Sequence, residues 1–194
     1  MRALLVAAAA ALALTAAAAA PAAGTSSCPA AWAKGWQALA NKVAAPVYCP
    51  TWMPNPLDAT IGGQYQDIYS VGKDKSYLVS FLEHGDLGSG DVHVNFRGYP
   101  GSTAIPRCPA PVKKGATIAC FSEPVATLRA NGIKATVYQV NQGADQWHIL
   151  LAWKHNRSLY TVSEHVIPPY RFSTQVKKNL ARLLDSLVLV RPQG

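Results

Sequence analysis

The residues best equipped for chemistry in this chain are Glu83, His84, Asp86, Asp91 and His93, which flank the glycine-rich run Gly85-Asp86-Leu87-Gly88-Ser89-Gly90. If the strands on either side of that run pair, His84 and His93 approach each other beside three carboxylates. Such a set offers the nitrogen and oxygen donors that divalent metals take. The spacing follows no defined metal motif, and Asp86 to Asp91 lacks the alternating acids of a calcium loop. Polar residues at a hairpin tip are most often simply solvated. The expectation is no resident metal, with His84, Asp86, Asp91 and His93 as the only candidates for one.

Three further histidines, His148, His155 and His165, fall on or near neighbouring segments that read as strands. They could sense pH or hold a ligand, but exposed strand histidines are more often inert, and that is the expectation for these. Gly88-Ser89-Gly90 is not a nucleophile elbow, which needs Gly-x-Ser-x-Gly between strand and helix. No phosphate loop, zincin motif or dinucleotide fingerprint occurs, so no cofactor is expected. The ten acidic residues include no pair whose separation a sequence could set for glycoside hydrolysis.

What must position these groups begins with an export signal. Arg2 is the only charge before an alanine- and leucine-rich run, Ala3 to Ala20, and Pro21-Ala22-Ala23-Gly24 supplies small residues and a turn-former. This is the layout of a secretory signal peptide over residues 1–22, cleaved between Ala22 and Ala23. The alternatives are an uncleaved anchor, disfavoured because most of the run is alanine, and lipidation of Cys28, disfavoured because no aliphatic residue stands three before it. Residues 23–194 then form one exported domain, and no later stretch approaches about 18 uninterrupted apolar residues.

Export makes the four cysteines structural, since they can stay oxidised. Two disulfides are expected, with sequential pairing preferred. A three-residue turn at Lys113-Lys114-Gly115 opposes Val112 to Ala116 and, continued, brings Cys108 opposite Cys120. A helix from about Ala31 to Val43 spans roughly 20 Å, and the chain from Val43 to Cys49 reaches about the same distance. Cys28–Cys49 therefore closes only if residues 46–52 fold back antiparallel along that helix.

Trp32, Trp36, Leu39, Ala40 and Val43 give that helix one apolar face. Strands are read at Tyr65–Val71, Ser76–Glu83 and Asp91–Arg97, and then as a meander of Ile133–Val140, Trp147–His155 and Ser158–Val166. Trp147, Ile149, Leu151 and Trp153 alternate along the middle strand of the meander as a core face. Val176, Leu180, Leu183, Leu184 and Leu187 form the apolar stripe of a second helix, with Lys177, Lys178 and Arg182 outward, followed by an extended tail at Val188–Val190. Helix, strands, helix is an α+β order: an antiparallel sheet covered on one face by terminal helices.

Pro50-Thr51-Trp52-Met53-Pro54 resembles the Pro-x-aromatic-aliphatic-Pro entry of uncharacterised exported domains of Gram-positive bacteria, some attached to anti-sigma-factor-like proteins. Trp153…Asn156…Tyr160-Thr161-Val162-Ser163 and Leu180…Leu184…Ser186-Leu187 are similar to the way those domains end. The resemblance covers about a third of the chain. It implies an envelope location and an α+β fold, and it carries no active site.

Charge completes the functional expectation. Residues 1–106 hold six Lys/Arg and six Asp/Glu, whereas residues 107–194 hold twelve against four, so the whole excess of +8 lies in the second half. Exported basic surfaces meet anionic lipid or wall polymer rather than nucleic acid, for which no binding signature is present. The expected function is a non-enzymatic envelope or extracellular binding module of unknown ligand. Lys113, Lys114, Lys154, Arg157, Lys177, Lys178 and Arg182 are its expected contacts with an anionic surface or polymer. The alternative is a secreted hydrolase with a metal site in the 83–93 hairpin.

Overall fold

The computed structural model describes residues 27–57, 71–83, 92–141, 147–166 and 173–193. The signal-peptide reading, the strand read from Tyr65, and His84, Asp86 and Asp91 lie outside the described residues. Helix α1 (Ala30–Val43) leads to a short strand β1 (Val47–Pro50). Next come β2 (Tyr77–Leu82), β3 (His93–Tyr99), β4 (Arg107–Pro109), β5 (Thr117–Ala119), β6 (Phe121–Ala130), β7 (Ile133–Asn141), β8 (His148–His155) and β9 (Ser158–His165). Helix α2 (Ser173–Asp185) and strand β10 (Leu187–Val190) end the chain.

The α+β expectation holds. Six strands form one sheet in the order β2-β3-β9-β8-β7-β6, with each neighbouring pair antiparallel. Alternation along its strands sends Val79, Phe81, Val94, Phe96, Ile149, Leu151, Trp153, Tyr160 and Val162 to one side. There they meet the apolar stripes of both helices, Trp32, Trp36 and Leu39 from α1 and Val176, Leu180, Leu183 and Leu184 from α2, in a continuous core. Trp32 stands edge-on to Phe81 at 5.3 Å, and Trp36 edge-on to Phe96 at 5.9 Å.

Helix α1 ends where Ala44 takes a left-handed conformation (φ 53°) and Pro46 blocks continuation. The chain then reverses along the helix, as closure of Cys28–Cys49 requires. The Trp32 indole N–H, at the start of α1, donates to the Pro50 carbonyl at 3.2 Å, and the Cys28–Cys49 bridge is formed. Leu187, expected in the stripe of the second helix, instead lies beyond its end at Asp185 and opens β10, which takes in the tail Val188–Val190, read as extended, and pairs antiparallel with β1.

Cys108–Cys120 also forms, but in a register two residues away from the expected one: Cys108 lies opposite Ile118. Gly115 is left-handed (φ 78°) as the turn requires, while the Ala116 N–H closes on the Lys113 carbonyl and the Ala110 N–H on the Ala116 carbonyl. The loop is therefore residues 111–115, five rather than three, so Ala110 instead of Val112 faces Ala116, and the disulfide runs diagonally. Another departure is Trp147, expected on the core face and instead 80 % exposed. Its backbone is left-handed (φ 63°), so the alternation that buries Ile149 and Leu151 starts only after it.

Candidate functional site: three buried histidines on one sheet face

The side of the sheet away from the helices carries polar residues in its central strands. Within the sheet, His148 of β8 lies directly opposite His165 of β9. Val94 lies opposite Glu164, so His93, one position earlier on β3, lies next to His165. His93, His165 and His148 thus form a row across three adjacent strands, and all three are buried. The His148 and His165 rings stack at 4.9 Å, and His93 tilts against both at 4.7 Å. One ring nitrogen from each can be chosen so that all lie within 4.8 Å of one another. His93 Nε2 and His148 Nε2 are 2.9 Å apart.

The next row is polar and buried too. Asn95 stands between Ser80 and Ser163 on its two neighbouring strands. The Ser80 hydroxyl donates to Asn95 Oδ1 at 2.7 Å, and Ser163 Oγ lies 3.0 Å from His148 Nδ1. Asn141, at the end of β7, donates its amide to the His148 carbonyl at 2.6 Å, fixing the backbone from which that imidazole projects.

Burial, then the like charges that His93 and His165 can carry, push His148 down to about 2. It is neutral at any physiological pH, with one N–H and one lone pair. Two arrangements satisfy the row. With the proton on Nε2, His148 donates to His93 and accepts from the Ser163 hydroxyl. With the proton on Nδ1, it donates to Ser163 and turns a lone pair toward His93. The second arrangement presents a bare imidazole nitrogen to its neighbours, which is what a metal ligand requires, with Ser163 as the outer partner that fixes the tautomer.

Glu164, between Ser163 and His165, projects to the helix side instead. Its Oε1 accepts from the Asn179 amide of α2 at 2.7 Å, while Oε2 has no partner. Burial pushes this carboxyl up to about 8, against the opposing effect of the Asn179 hydrogen bond. At neutral pH it is mostly protonated.

The expected residues are redistributed by this geometry. His93 belongs to the row, whereas its expected companions His84, Asp86 and Asp91 lie outside the described residues. Glu83 spans the neck of the hairpin: its N–H donates to the Val92 carbonyl and its carboxylate accepts the Val92 N–H. His148 and His165, expected as exposed and inert, are buried. The reason is that the sheet's second face is largely covered, including a small cluster of Phe121, Leu150, Ala152 and Leu159. His155 is at the other end of β8, half-buried beside Tyr48. Period-two parity does put His148, His165 and Ser163 on one face. What was not readable was which strands flank β9, because β3 joins it from 60 residues upstream in sequence.

The seven expected cationic contacts are carried by three parts of the fold. Lys113 and Lys114 cap the β4–β5 hairpin, Lys154 and Arg157 sit at the β8–β9 turn, and Lys177, Lys178 and Arg182 are exposed on α2. The α2 group has a further feature: the Arg182 guanidinium lies over the Trp52 ring at 4.2 Å. Trp52 is half-buried there. Both disulfides are those of an oxidising compartment, and no helix among the described residues is long and apolar enough to cross a membrane. Comparison with protein-family models, curated proteins and solved structures finds no match to this chain.

Proposed function

We propose that this is an extracytoplasmic metal-binding module, in which His93, His148 and His165 hold one first-row divalent ion, Zn²⁺ in the first instance. The observation that carries the reading is the convergence of three buried imidazoles from three adjacent central strands. Imidazole suits zinc, copper and nickel. Zinc–nitrogen bonds of about 2.0–2.1 Å in a tetrahedral site put ligand nitrogens roughly 3.3 Å apart, between the 2.9 Å of the closest pair and the 4.8 Å limit of the set. Small ring rotations within the row are therefore enough to seat an ion. Three protein ligands leave one coordination position for an exogenous group.

A binding role fits better than hydrolysis. A zinc hydrolase needs a base beside the metal-bound water; among the described residues, Glu164 projects to the opposite side of the sheet, and the Glu83 carboxylate is engaged by the Val92 N–H. Contact with an anionic polymer or lipid surface is a second, electrostatic part of the reading, and it is supported best at α2. Lys177, Lys178 and Arg182 project together there, and Trp52 restrains the arginine.

Calorimetric titration of the metal-free, disulfide-intact protein with Zn²⁺ tests the centre. One equivalent should bind, and His148→Gln or His93→Gln should weaken it at least a hundredfold. Ser163→Ala should cost roughly 10- to 100-fold by freeing the tautomer. Stoichiometry and affinity unchanged in the histidine variants, with their circular dichroism intact, would overturn the assignment. The electrostatic part is tested on anionic vesicles. Reversal of Lys177, Lys178 and Arg182 to glutamate should abolish salt-sensitive binding, and reversal of Lys113 and Lys114 should leave most of it.

A further inference from the structure

Strands β7 and β8 are neighbours in the sheet, yet their pairing stops early. The ladder runs through Tyr138↔Leu150 and Val137↔Leu151 to Thr136↔Ala152 and ends there, although β7 begins at Ile133 and β8 continues to His155. Each strand keeps its other partner along this stretch: β7 pairs with β6 up to Ala130↔Ile133, and β8 with β9 up to His155↔Ser158. The sheet is split between two strands that are each still held. In the register of the closed part, Lys134 and Lys154 would stand directly opposite each other. Like charges in that position oppose closure.

The split opens into clefts on both sides of the sheet. One, of about 520 Å³, is lined by residues including Tyr48, Lys134, Trp153, Lys154 and His155. The other, of about 300 Å³, shares Lys134, Trp153 and Lys154. Among the described residues, neither lining contains a carboxylate. Trp153 is 97 % buried, with its ring edge-on to Tyr48 at 5.2 Å. His155 Nε2 is a buried polar atom there without a partner. Burial pushes the Tyr48 phenol up, against the opposing effects of its hydrogen bond with Trp153 and of the Arg191 charge. The site therefore offers two ammonium groups, an unpartnered imidazole nitrogen and aromatic surface, with no acid among the described lining residues.

We propose that the split between β7 and β8 binds a small organic anion of sugar size. Its carboxylate lies between the Lys134 and Lys154 ammonium groups, and its ring lies against the Tyr48–Trp153 edge. A uronic acid meets these terms, either free or as the terminal residue of an acidic wall polymer. The cleft is independent of the histidine row. His148 and His155 stand at opposite ends of β8, about 23 Å apart at the strand rise.

Tryptophan fluorescence and calorimetric titrations with glucuronate, glucose and an oligogalacturonate, in the presence of EDTA, test it. Glucuronate should saturate, weaken with added salt, and lose at least tenfold in affinity in Lys134→Met and in Lys154→Met. The double variant should not bind, and Lys73→Met, exposed on a turn that lines neither cleft, should bind as the wild type does. Thermal melts of each variant establish that it is folded. Glucose should fail to bind; equal binding of glucose and glucuronate would overturn the role of the lysines. Binding of the oligomer alone, lost in the double variant, identifies the polymer end as the source of the carboxylate. Absence of saturable binding by either acid, or binding indifferent to both lysines, would sink the proposal. EDTA in the buffer keeps this outcome separate from failure of the metal reading.

Discussion

Glu164 is a carboxyl group that the fold keeps neutral, and its cost is set by pH. In an unfolded chain it ionises near 4.5, whereas the folded protein holds its proton to about 8. Between these values the folded state binds more protons than the unfolded one, so the slope of stability with pH is negative. The group's contribution is complete below about 4.5 and is lost as pH rises through about 8. Glu164→Gln keeps the acceptor that Asn179 uses and removes the ionisation. Its stability relative to the wild type should rise between pH 5 and pH 9 by a few kcal/mol. Urea denaturation at pH 5, 7 and 9 measures this, and parallel pH profiles for the two proteins would contradict it. The same residues show how far a sequence can be read. The parity that sends Glu164 one way and Ser163 and His165 the other was legible, but burial on both faces was not. An unbroken buried stretch such as Ser158–His165, with Ser158, Thr161, Ser163 and Glu164 in it, reads as a strand with one wet side.

At the scale of elements, the segments with clean periodicity were legible: α1, α2, β7, β8 and β9. Strand β6 was missed, for a physical reason. It is the edge strand, mostly exposed, and lacks an apolar alternation to reveal it. It also contains Pro124 at a register shift, beside left-handed Glu123 (φ 59°). The pairing of β1 with β10 was missed because each is only four residues long and they lie at opposite ends of the sequence. This small pair explains how the first disulfide acts. Cys49 is fully buried in β1, so Cys28–Cys49 joins the start of α1 to the strand that β10 clasps. Closing a loop of 21 residues restricts the unfolded chain by about 3 kcal/mol on the entropy model. The double variant Cys28→Ser/Cys49→Ser should therefore unfold at lower denaturant by about that amount. It should also show faster amide exchange in α1, since Trp32 loses its anchoring neighbour. Exchange confined to the β4–β5 hairpin instead would refute the coupling.

Across the whole molecule, the two faces of the sheet divide the labour. The helix face supplies the apolar core, with its edge-on aromatic pairs, and stabilises the chain without any ion. The other face buries Ser80, Asn95, Ser163 and three imidazoles on β2, β3, β9 and β8, a polar interior that contributes less to stability than an apolar one of the same size. A metal there would join β3, β9 and β8, the strands that hold the two halves of the sheet together. Binding to the native state alone adds about 2.7 kcal/mol at a hundredfold excess over the dissociation constant. For a domain of this size that corresponds to a rise in melting temperature of roughly 5–10 °C. Zn²⁺ should produce that rise at neutral pH, and EDTA should reverse it. The rise should shrink as pH falls, because imidazole ligands must be deprotonated to hold the metal. His148→Gln should melt without any response to zinc. The Lys134→Met/Lys154→Met variant should respond as fully as the wild type, because its cleft lies at the far end of β8. A zinc response that survives in His148→Gln would place the ion elsewhere, and the polar row would then stand as a hydrogen-bonded network completed by protons.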